Sequence, residues 1–342
     1  MTVEELKKVL KGDRIPFMIL AGEEEYLKRY YLSSIRSRLV PDEGLAPFNH
    51  IRFEGNEIDF GRLSNALKTP PVFAEEKLVE WHLCDFDKMK EDDLERLRAL
   101  CEEKDSYEGV TLVFYAEEGK LQFGNYPKRP SSRYTALSKF IDIVWFPPST
   151  DAQLINWILR HFEKEKLLCA RPSAEALLAR VGHSMDTLSG EIEKLAAYCH
   201  ANGRNELSVA DITAVCASTF EADAFGLSNA ILSGNAAVAY ENLRDMKNRR
   251  QEPTMIFGSV FRVFCDLYAV ALLREEGLSP DAIRERTGMH EYKLKLYLRA
   301  LAGKNSQWLG AILERCRRLD LSAKLGTADY SGLERLIAEV LR

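Results

Sequence analysis

The sequence lacks any cysteine or histidine pattern of the kind that builds a disulfide framework or a metal site. The seven cysteines are Cys84, Cys101, Cys169, Cys199, Cys216, Cys265 and Cys316. No two of them form a CxxC pair, and the six histidines are scattered. An odd number of widely spaced cysteines argues against both a disulfide scaffold and a structural zinc site. We therefore expect free thiols in a reducing compartment, no metal site and no cofactor.

The sequence also lacks a long uncharged apolar run and a strong excess of basic charge. The most apolar stretch, "MIFGSVFRVFCDLYAVALL" (255–273), is interrupted by Arg262 and Asp266, which favours a buried helix over a membrane span. The N-terminal "MTVEELKKVLKGD" predicts an amphipathic helix without the apolar region of a signal peptide, so we expect a cytoplasmic protein with no membrane partner. The net charge of −5 excludes a protein that coats DNA, and any DNA contact must be local.

What the first part of the chain does contain is a regular alternation of strand and helix patterns. Compact apolar runs alternate with segments whose apolar residues recur at helical spacing. Such an alternation predicts a parallel sheet flanked by helices, with right-handed crossovers. The predicted strands are residues 16–22, 49–53, 76–81, 110–117 and 139–146.

The pattern changes at "PPST" (147–150), after which we find only helical patterns separated by Pro, Gly and Ser. The fold class is therefore predicted as α/β plus all-α. We expect an α/β domain at 1–148, a small helical domain at 149–217 and a second helical domain at 218–342.

An α/β domain followed by a small helical domain is the outline of nucleotide-binding ATPases, whose phosphate loop, GxxxxGK[ST], follows the first strand. Here that place reads "AGEEEYLKRYY" (21–31), in which Gly22 is followed by Glu23, Glu24 and Glu25. Three carboxylates suit the start of a helix but repel the phosphates that such a site binds. We expect a degenerate phosphate site without its lysine and, since no GxSxG or HExxH motif is present either, no catalysis.

The segment "TPPVFAEEKLVEW" (69–81) places Val72 and Phe73 directly after two prolines, in a predicted turn. Two readings are open at this point. The pair packs under the sheet, as apolar residues near strands usually do, or it is exposed and binds a partner. Pro70 and Pro71 would hold an exposed pair stiffly, because each fixes its own φ and restricts the residue before it.

Six segments, in chain order, resemble the delta subunit family of the bacterial DNA polymerase III clamp loader, which belongs to the AAA+ superfamily. The resemblance covers the whole chain, although Gly190 stands where the family often has Asn. The segments are "ILAGEEEYLKRYYLSSIR", "LKTPPVFAEEKLVEW", "LSGEIEKLAAYC", "VADITAVCASTFEADAFGLSNAILSGNAAVAYENL", "EPTMIFGSVFRVF" and "LDLSAKLGTADYSGLERLI".

The resemblance implies an AAA+-like domain that has lost its ATPase residues, a small helical lid domain and a helical collar domain. It implies a non-catalytic subunit of the DNA polymerase III holoenzyme, a DNA-directed DNA polymerase. The implied partners are the beta sliding clamp, the gamma/tau ATPase subunits, the delta-prime subunit and primer-template DNA. The implied function is to bind the clamp and open its ring for loading onto primed DNA during replication.

One group of site residues follows from this resemblance. The family's clamp-binding pair falls on Val72 and Phe73, after Pro70 and Pro71, and we expect Glu75, Glu76 and Lys77 to form a polar rim around the pair.

Possible DNA contacts fall on the second helical domain. They are Lys293, Lys295 and Arg299, which can meet phosphates, and Tyr330, which can stack on a base. Solvated helix faces for the basic residues, and a buried capping contact for Tyr330, are the alternatives.

Two other functions remain as alternatives. An active ATPase subunit of the same superfamily is disfavoured by the incomplete phosphate loop and by the lack of a Cys-rich zinc insert. A helical DNA-binding regulator would use residues 279–301 as a helix-turn-helix. There, however, Leu294, Leu296 and Leu298 crowd the second helix, which favours a core role for it.

Overall fold

The computed structural model describes residues 1–12, 14–289, 291–324 and 330–340. The chain divides into two compact units, Met1–Ser149 and Thr150–Arg342. The finer division of the second unit into lid and collar domains stays a prediction.

A five-stranded parallel sheet forms the centre of the first unit, as the alternating pattern predicts. Its strand order is β2-β3-β4-β1-β7, and every neighbouring pair is parallel. Most of its strands are buried on both faces, which explains their nearly continuous apolar sequences. A two-residue antiparallel pair, β5 with β6, lies outside this sheet. The strands are β1 (Met18–Gly22), β2 (His50–Glu54), β3 (Lys77–His82), β4 (Val110–Tyr115), β5 (Gly124–Asn125), β6 (Arg129–Pro130) and β7 (Asp142–Phe146).

Helices cover both faces of the sheet, and side-chain alternation along the strands decides which face each residue serves. In β1, Met18 and Leu20 pack with α1 and α2, whereas Ile19 and Ala21 pack with the layer of α4, α5 and α6. Local signals start these helices: the Asp59 side chain accepts a hydrogen bond at the start of α4, and Ser131 does so for α6. The helices are α1 (Val3–Val9), α2 (Glu25–Leu39), α3 (Ala46–Asn49), α4 (Phe60–Lys68), α5 (Glu91–Glu102) and α6 (Ser132–Leu137).

The order of strands creates a topological switch point at the carboxyl end of β1. Strand β1 lies between β4 and β7, yet the chain leaves it to form β2 at the far edge of the sheet. In open α/β sheets, ligands bind outside the carboxyl ends of the strands at such a point. Gly22 and the glutamates after it therefore occupy the place where a nucleotide phosphate would bind.

The second unit is mainly helical, as predicted. Its first part also contains β8 and β9, which pair in parallel over two residues each, too short a contact for a sequence pattern to reveal. Thr150 forms a capping box with Gln153 at the start of α7. The elements are α7 (Asp151–Lys164), β8 (Leu168–Cys169), α8 (Arg171–Val181), α9 (Met185–Ala201), β9 (Glu206–Leu207) and α10 (Val209–Val215).

A long apolar helix, α13, is central to the rest of this unit. By length and composition α13 would suffice to cross a membrane, but an apolar stripe along it packs into the core formed with the neighbouring helices. Burial of this stripe explains the high apolar content of α13 without a membrane. The helices are α11 (Phe220–Leu232), α12 (Ala236–Asn248), α13 (Pro253–Glu275), α14 (Pro280–Thr287), α15 (Glu291–Ala300), α16 (Ser306–Lys324) and α17 (Tyr330–Val340).

Candidate functional site

The segment between α4 and β3, residues 69–76, forms a surface turn that we call the docking turn. Helix α4 ends at Lys68 and is followed by Thr69 in an extended conformation, with φ −84° and ψ 117°. This conformation is the one that the residue before a proline prefers. Pro70 and Pro71 then prevent the helix from continuing.

Phe73 projects from the docking turn into solvent. Its side chain is 91% exposed, the highest value for a large apolar residue in the described part of the chain. Its backbone has φ +53°, a left-handed conformation that costs a residue other than glycine about 1–2 kcal/mol. Val72 beside it is half-buried. The reading in which both side chains pack under the sheet is therefore wrong for Phe73.

Asn49, at the end of α3, holds the backbone of Val72 at both of its polar groups. Val72 N donates to Asn49 Oδ1 over 2.7 Å, and Asn49 Nδ2 donates to Val72 O over 2.8 Å. Asn49 itself is fully buried. A side-chain amide carries the donor and the acceptor that this double contact needs.

The sequence predicts Lys77 at a polar rim. In the structure its side chain is instead buried beneath the docking turn. Its Nζ donates to Ala66 O over 2.8 Å and to Thr69 O over 2.9 Å. Pro70 has no N–H with which to complete the helical hydrogen bond to Ala66 O, so the ammonium satisfies that carbonyl instead. Burial lowers the pKa of Lys77. The rim residues that remain are Glu75, which is exposed, and Glu76, which is half-buried.

Gly109 allows the base of the docking turn to lie against the loop before β4. Gly109 has φ +68°, and a Cβ there would come within 2.3 Å of Glu75 O and 3.0 Å of a Pro71 side-chain atom. Lys77 N donates to Gly109 O over 2.8 Å. Both ends of the turn are thus fixed while Phe73 stays exposed.

The degenerate phosphate site at the end of β1 is closed by the backbone of β7. Gly22 has φ +124°, and a Cβ at this position would lie 2.3 Å from Phe146 O. Glu24 N donates to the same carbonyl over 3.1 Å. Glu23 is exposed, and α2 begins at Glu25. Strand packing, rather than phosphate binding, accounts for this glycine.

The expectation that the site has no lysine is wrong. Lys28 stands six residues after Gly22, which is the spacing of the lysine in GxxxxGK[ST], and counting along that register is enough to find it. Its side chain is fully buried, and its Nζ donates to Ala116 O over 2.8 Å and to Glu25 Oε1 over 2.6 Å. The ammonium is therefore held by the protein's own oxygen atoms.

Glu25 supplies the negative charge in this cluster. Besides Lys28, its carboxylate accepts hydrogen bonds from the Tyr115 hydroxyl and from Glu118 N, the latter over 3.2 Å. Burial and the neighbouring Glu25 carboxylate raise the pKa of Tyr115. The Glu25 carboxylate is thus surrounded by a cation, a hydroxyl and a backbone N–H. In an ATPase, donors of the same kinds would bind a phosphate at this place.

A second buried polar cluster, which the sequence does not reveal, is centred on Glu80 in β3. Its carboxylate lies 2.9 Å from His50 Nε2, 2.9 Å from His82 Nε2 and 3.1 Å from Arg36 Nη2. Burial alone would raise the pKa of Glu80, but the histidine hydrogen bonds and the Arg36 charge outweigh it and hold the pKa well below its usual range. Within the described residues, no group of side chains is suited to hold a metal ion.

The predicted DNA contacts on α15 do not share one face. Lys293 Nζ forms an ion pair with Asp266 on α13 over 2.8 Å, which favours a structural role for it. Lys295 and Arg299 are exposed, and their spacing of four residues puts them on the same face of the helix. Of these two faces, only the one that carries Lys295 and Arg299 is suited to contact phosphates.

Tyr330, at the start of α17, is half-buried. Its hydroxyl donates to Gln251 O over 2.5 Å, and Lys247 Nζ lies 5.1 Å from the centre of its ring. These contacts favour the capping role over stacking on a DNA base.

The helix-turn-helix-like segment packs into the core of the second unit. Helix α14 ends at Gly288, which has a left-handed conformation, and α15 follows. In α15, Leu294 and Tyr297 are buried, while Leu296 and Leu298 pack against the same core. The leucines that crowd α15 therefore serve the core of the second unit, as the sequence favours, and not contact with a DNA groove.

Comparison with known proteins gives a consistent result over the whole chain. The family described as "DNA polymerase III, delta subunit" matches residues 18–126, which include the docking turn and the degenerate phosphate site. The family described as "DNA polymerase III delta subunit, C-terminal domain" matches residues 221–340.

Two curated relatives and one solved structure are similar to nearly the full chain. The DNA polymerase III subunit delta of Bacillus subtilis (strain 168) is 22% identical over 333 residues, covering 96% of this chain and 93% of the relative. The probable DNA polymerase III subunit delta of Aquifex aeolicus (strain VF5) is 24% identical over 316 residues, covering 90% and 85%. The structure of the Bacillus subtilis DNA clamp loader delta protein matches with a TM-score of 0.67 at 21% identity and covers 99% of each chain, which shows a shared fold.

Proposed function

Because this chain belongs to the DNA polymerase III delta subunit family, we propose that it binds the beta sliding clamp through the docking turn and helps to open the clamp ring. The chain is a clamp-loader subunit of the replication machinery and part of the DNA polymerase III holoenzyme. The observation that carries the proposal is Phe73, a large apolar side chain held rigidly in solvent. An isolated protein gains no stability from exposing such a side chain, whereas docking into a partner's pocket removes it from water.

The docking turn has the properties of a preorganised anchor. Burial of one apolar side chain of this size contributes about 1.5–3 kcal/mol, and a few such anchors dominate most interfaces. Val72 and Phe73 lie between prolines and a buried lysine, so docking costs little ordering of the backbone. Glu75 and Glu76 supply polar groups at the edge of the contact.

Ring opening by this subunit rests on differential affinity. A ligand shifts a conformational equilibrium only by binding one state more tightly than the other. With Lys28 engaged by Glu25, we expect no nucleotide binding and no catalysis in this chain. It therefore binds the strained, open clamp more tightly than the closed ring, and its ATPase partners control access to the docking turn.

The remaining features extend the same proposal. Residues 218–342 form the collar that joins the gamma/tau ATPase subunits and the delta-prime subunit, and residues 149–217 form the lid. The exposed Lys295 and Arg299 meet phosphates of primer-template DNA inside the assembled loader. We expect the complex in the cytoplasm, without a membrane partner, a metal or a cofactor.

Replacement of Phe73 tests the proposal. We expect Phe73→Ala to weaken binding to the purified clamp by about thirtyfold or more, as loss of a central anchor does, and Val72→Ala with Phe73→Ala to weaken it further. Because Phe73 is exposed, its replacement changes the free energy of unfolding by no more than about 0.5 kcal/mol. Titration calorimetry with the clamp and urea unfolding measure the two quantities.

Leu168→Ala is the matched control, since Leu168 is 66% exposed and lies in the second unit. It should leave clamp affinity unchanged. A Phe73→Ala variant that keeps full clamp affinity, or that loses several kcal/mol of stability, contradicts the proposal.

A further inference from the structure

The conformation of the docking turn requires a restraint that Phe73 itself does not supply. Its left-handed backbone, φ +53°, is unfavourable for a residue other than glycine, and its exposed ring contributes little packing energy to offset this. Strained residues persist only where the surrounding structure fixes them. The restraint must therefore act through the backbone beside Phe73.

Asn49 provides that restraint at the residue immediately before Phe73. Its amide pairs with both Val72 N and Val72 O, so it fixes that peptide segment as a neighbouring strand would. Asn49 is fully buried and ends α3, directly before β2. Its own position is thus set by the sheet, and the amide transmits that position to the docking turn.

We propose that Asn49 is the positioning residue that presents Phe73 to the clamp. The inference rests on the proposed function and deepens it, because it names what makes the anchor rigid. In the free protein, Asn49 keeps Phe73 in its binding conformation. Without this restraint the turn samples other conformations. The apparent affinity for the clamp is then reduced in proportion to the fraction of molecules that hold the binding conformation.

The first test compares variants of Asn49 in the full chain. We expect Asn49→Ala to weaken clamp binding by about tenfold, the effect of losing one or two hydrogen bonds. Asn49→Asp keeps the acceptor for Val72 N but places an oxygen against Val72 O, so it should be at least as weak. The control is Asn65→Ala, at an exposed position on α4, which should bind like the unchanged chain. Asn49→Ser replaces Asn49→Ala if the alanine variant does not fold.

A double-mutant cycle separates positioning of Phe73 from a merely structural role. If Asn49 acts only through Phe73, Asn49→Ala should weaken clamp binding by no more than about twofold in a Phe73→Ala background, because the effects of coupled residues do not add. An equal loss of affinity in both backgrounds overturns the proposal, as does an Asn49→Ala variant with full affinity beside a weakened Phe73→Ala variant. If Phe73→Ala alone has no effect, the proposed clamp site fails, and this inference fails with it.

Discussion

At the scale of single residues, the buried carboxylate of Glu80 is met by several partners. Glu80 is completely buried in β3, a position at which an unpaired carboxylate would be very costly. Arg36, His50 and His82 each contact it within 3.1 Å. The cluster links α2, β2 and β3, so it fixes the layer beside the docking turn as well as the charge.

This arrangement makes stability depend on pH in a defined direction. The pKa of Glu80 lies well below its unfolded value of about 4.3. Its stabilising contribution is therefore complete above about pH 5 and is lost as pH falls through the folded-state pKa. We expect Glu80→Gln to lower the free energy of unfolding by about 3 kcal/mol at neutral pH, and the difference from the unchanged chain to shrink on acidification.

Urea unfolding at several pH values between about 3.5 and 7 measures this difference. Glu54→Gln, at an exposed position at the end of β2, is the control and should show a small, pH-independent effect. A Glu80→Gln variant whose destabilisation is the same at both ends of the pH range would show that the carboxylate charge is unimportant.

Several single residues could not be predicted, because burial and contacts between distant residues depend on the fold. The sequence indicates charge but not burial, so it predicts Lys77 at a solvated rim, whereas the side chain satisfies a carbonyl near the end of α4. The members of the Glu80 cluster are far apart in the chain, and only the sheet brings them together. Phe73 could be singled out as a candidate anchor, because two prolines and a family resemblance mark its place.

At the scale of secondary-structure elements, one buried side chain holds the end of α4 to the start of β3. Lys77 begins β3 and reaches back to Ala66 O and Thr69 O. Because Pro70 has no N–H, the Ala66 carbonyl depends on the ammonium. The aliphatic part of the lysine fills the space beneath the docking turn.

We expect Lys77→Met to reduce the free energy of unfolding by about 1–3 kcal/mol, since it keeps most of the side-chain volume but leaves buried carbonyls unsatisfied. The docking turn loses a support at the same time, so clamp affinity should fall as well. Urea unfolding and calorimetric titration measure these changes. Lys68→Met, at the exposed last residue of α4, should be neutral in both, and a neutral Lys77→Met would show that the turn does not need this contact.

The elements themselves could be predicted where the sequence carries a long signal. The central strands β1 and β4 are apolar because both of their faces are covered, and capping residues mark helices such as α7. The pairs β5–β6 and β8–β9 extend over two residues each. No periodicity can develop over that length, so tertiary contacts alone decide them.

At the scale of the whole molecule, the first unit has an open parallel sheet with a topological switch point at the end of β1, and the space after β1 is filled by the protein's own side chains. Lys28 keeps the spacing of the motif but points its charge at Glu25 and Ala116 O. In the function that we propose, the sheet serves as a rigid support for the docking turn.

The last prediction is that this chain does not bind ATP. Phosphates would have to displace the Glu25 carboxylate from Lys28 and would meet the charges of Glu23 and Glu24 at the same helix end. A ligand at a hundred times its dissociation constant adds about 2.7 kcal/mol to the free energy of unfolding, which raises the melting temperature of a domain of this size by about 5–10 °C. We therefore expect about 1 mM ATP with magnesium to leave the melting temperature unchanged, while an active ATPase subunit of a clamp loader, measured as a control, is stabilised. A saturable rise for this chain would contradict the prediction and would favour an active nucleotide site in place of a purely clamp-binding subunit.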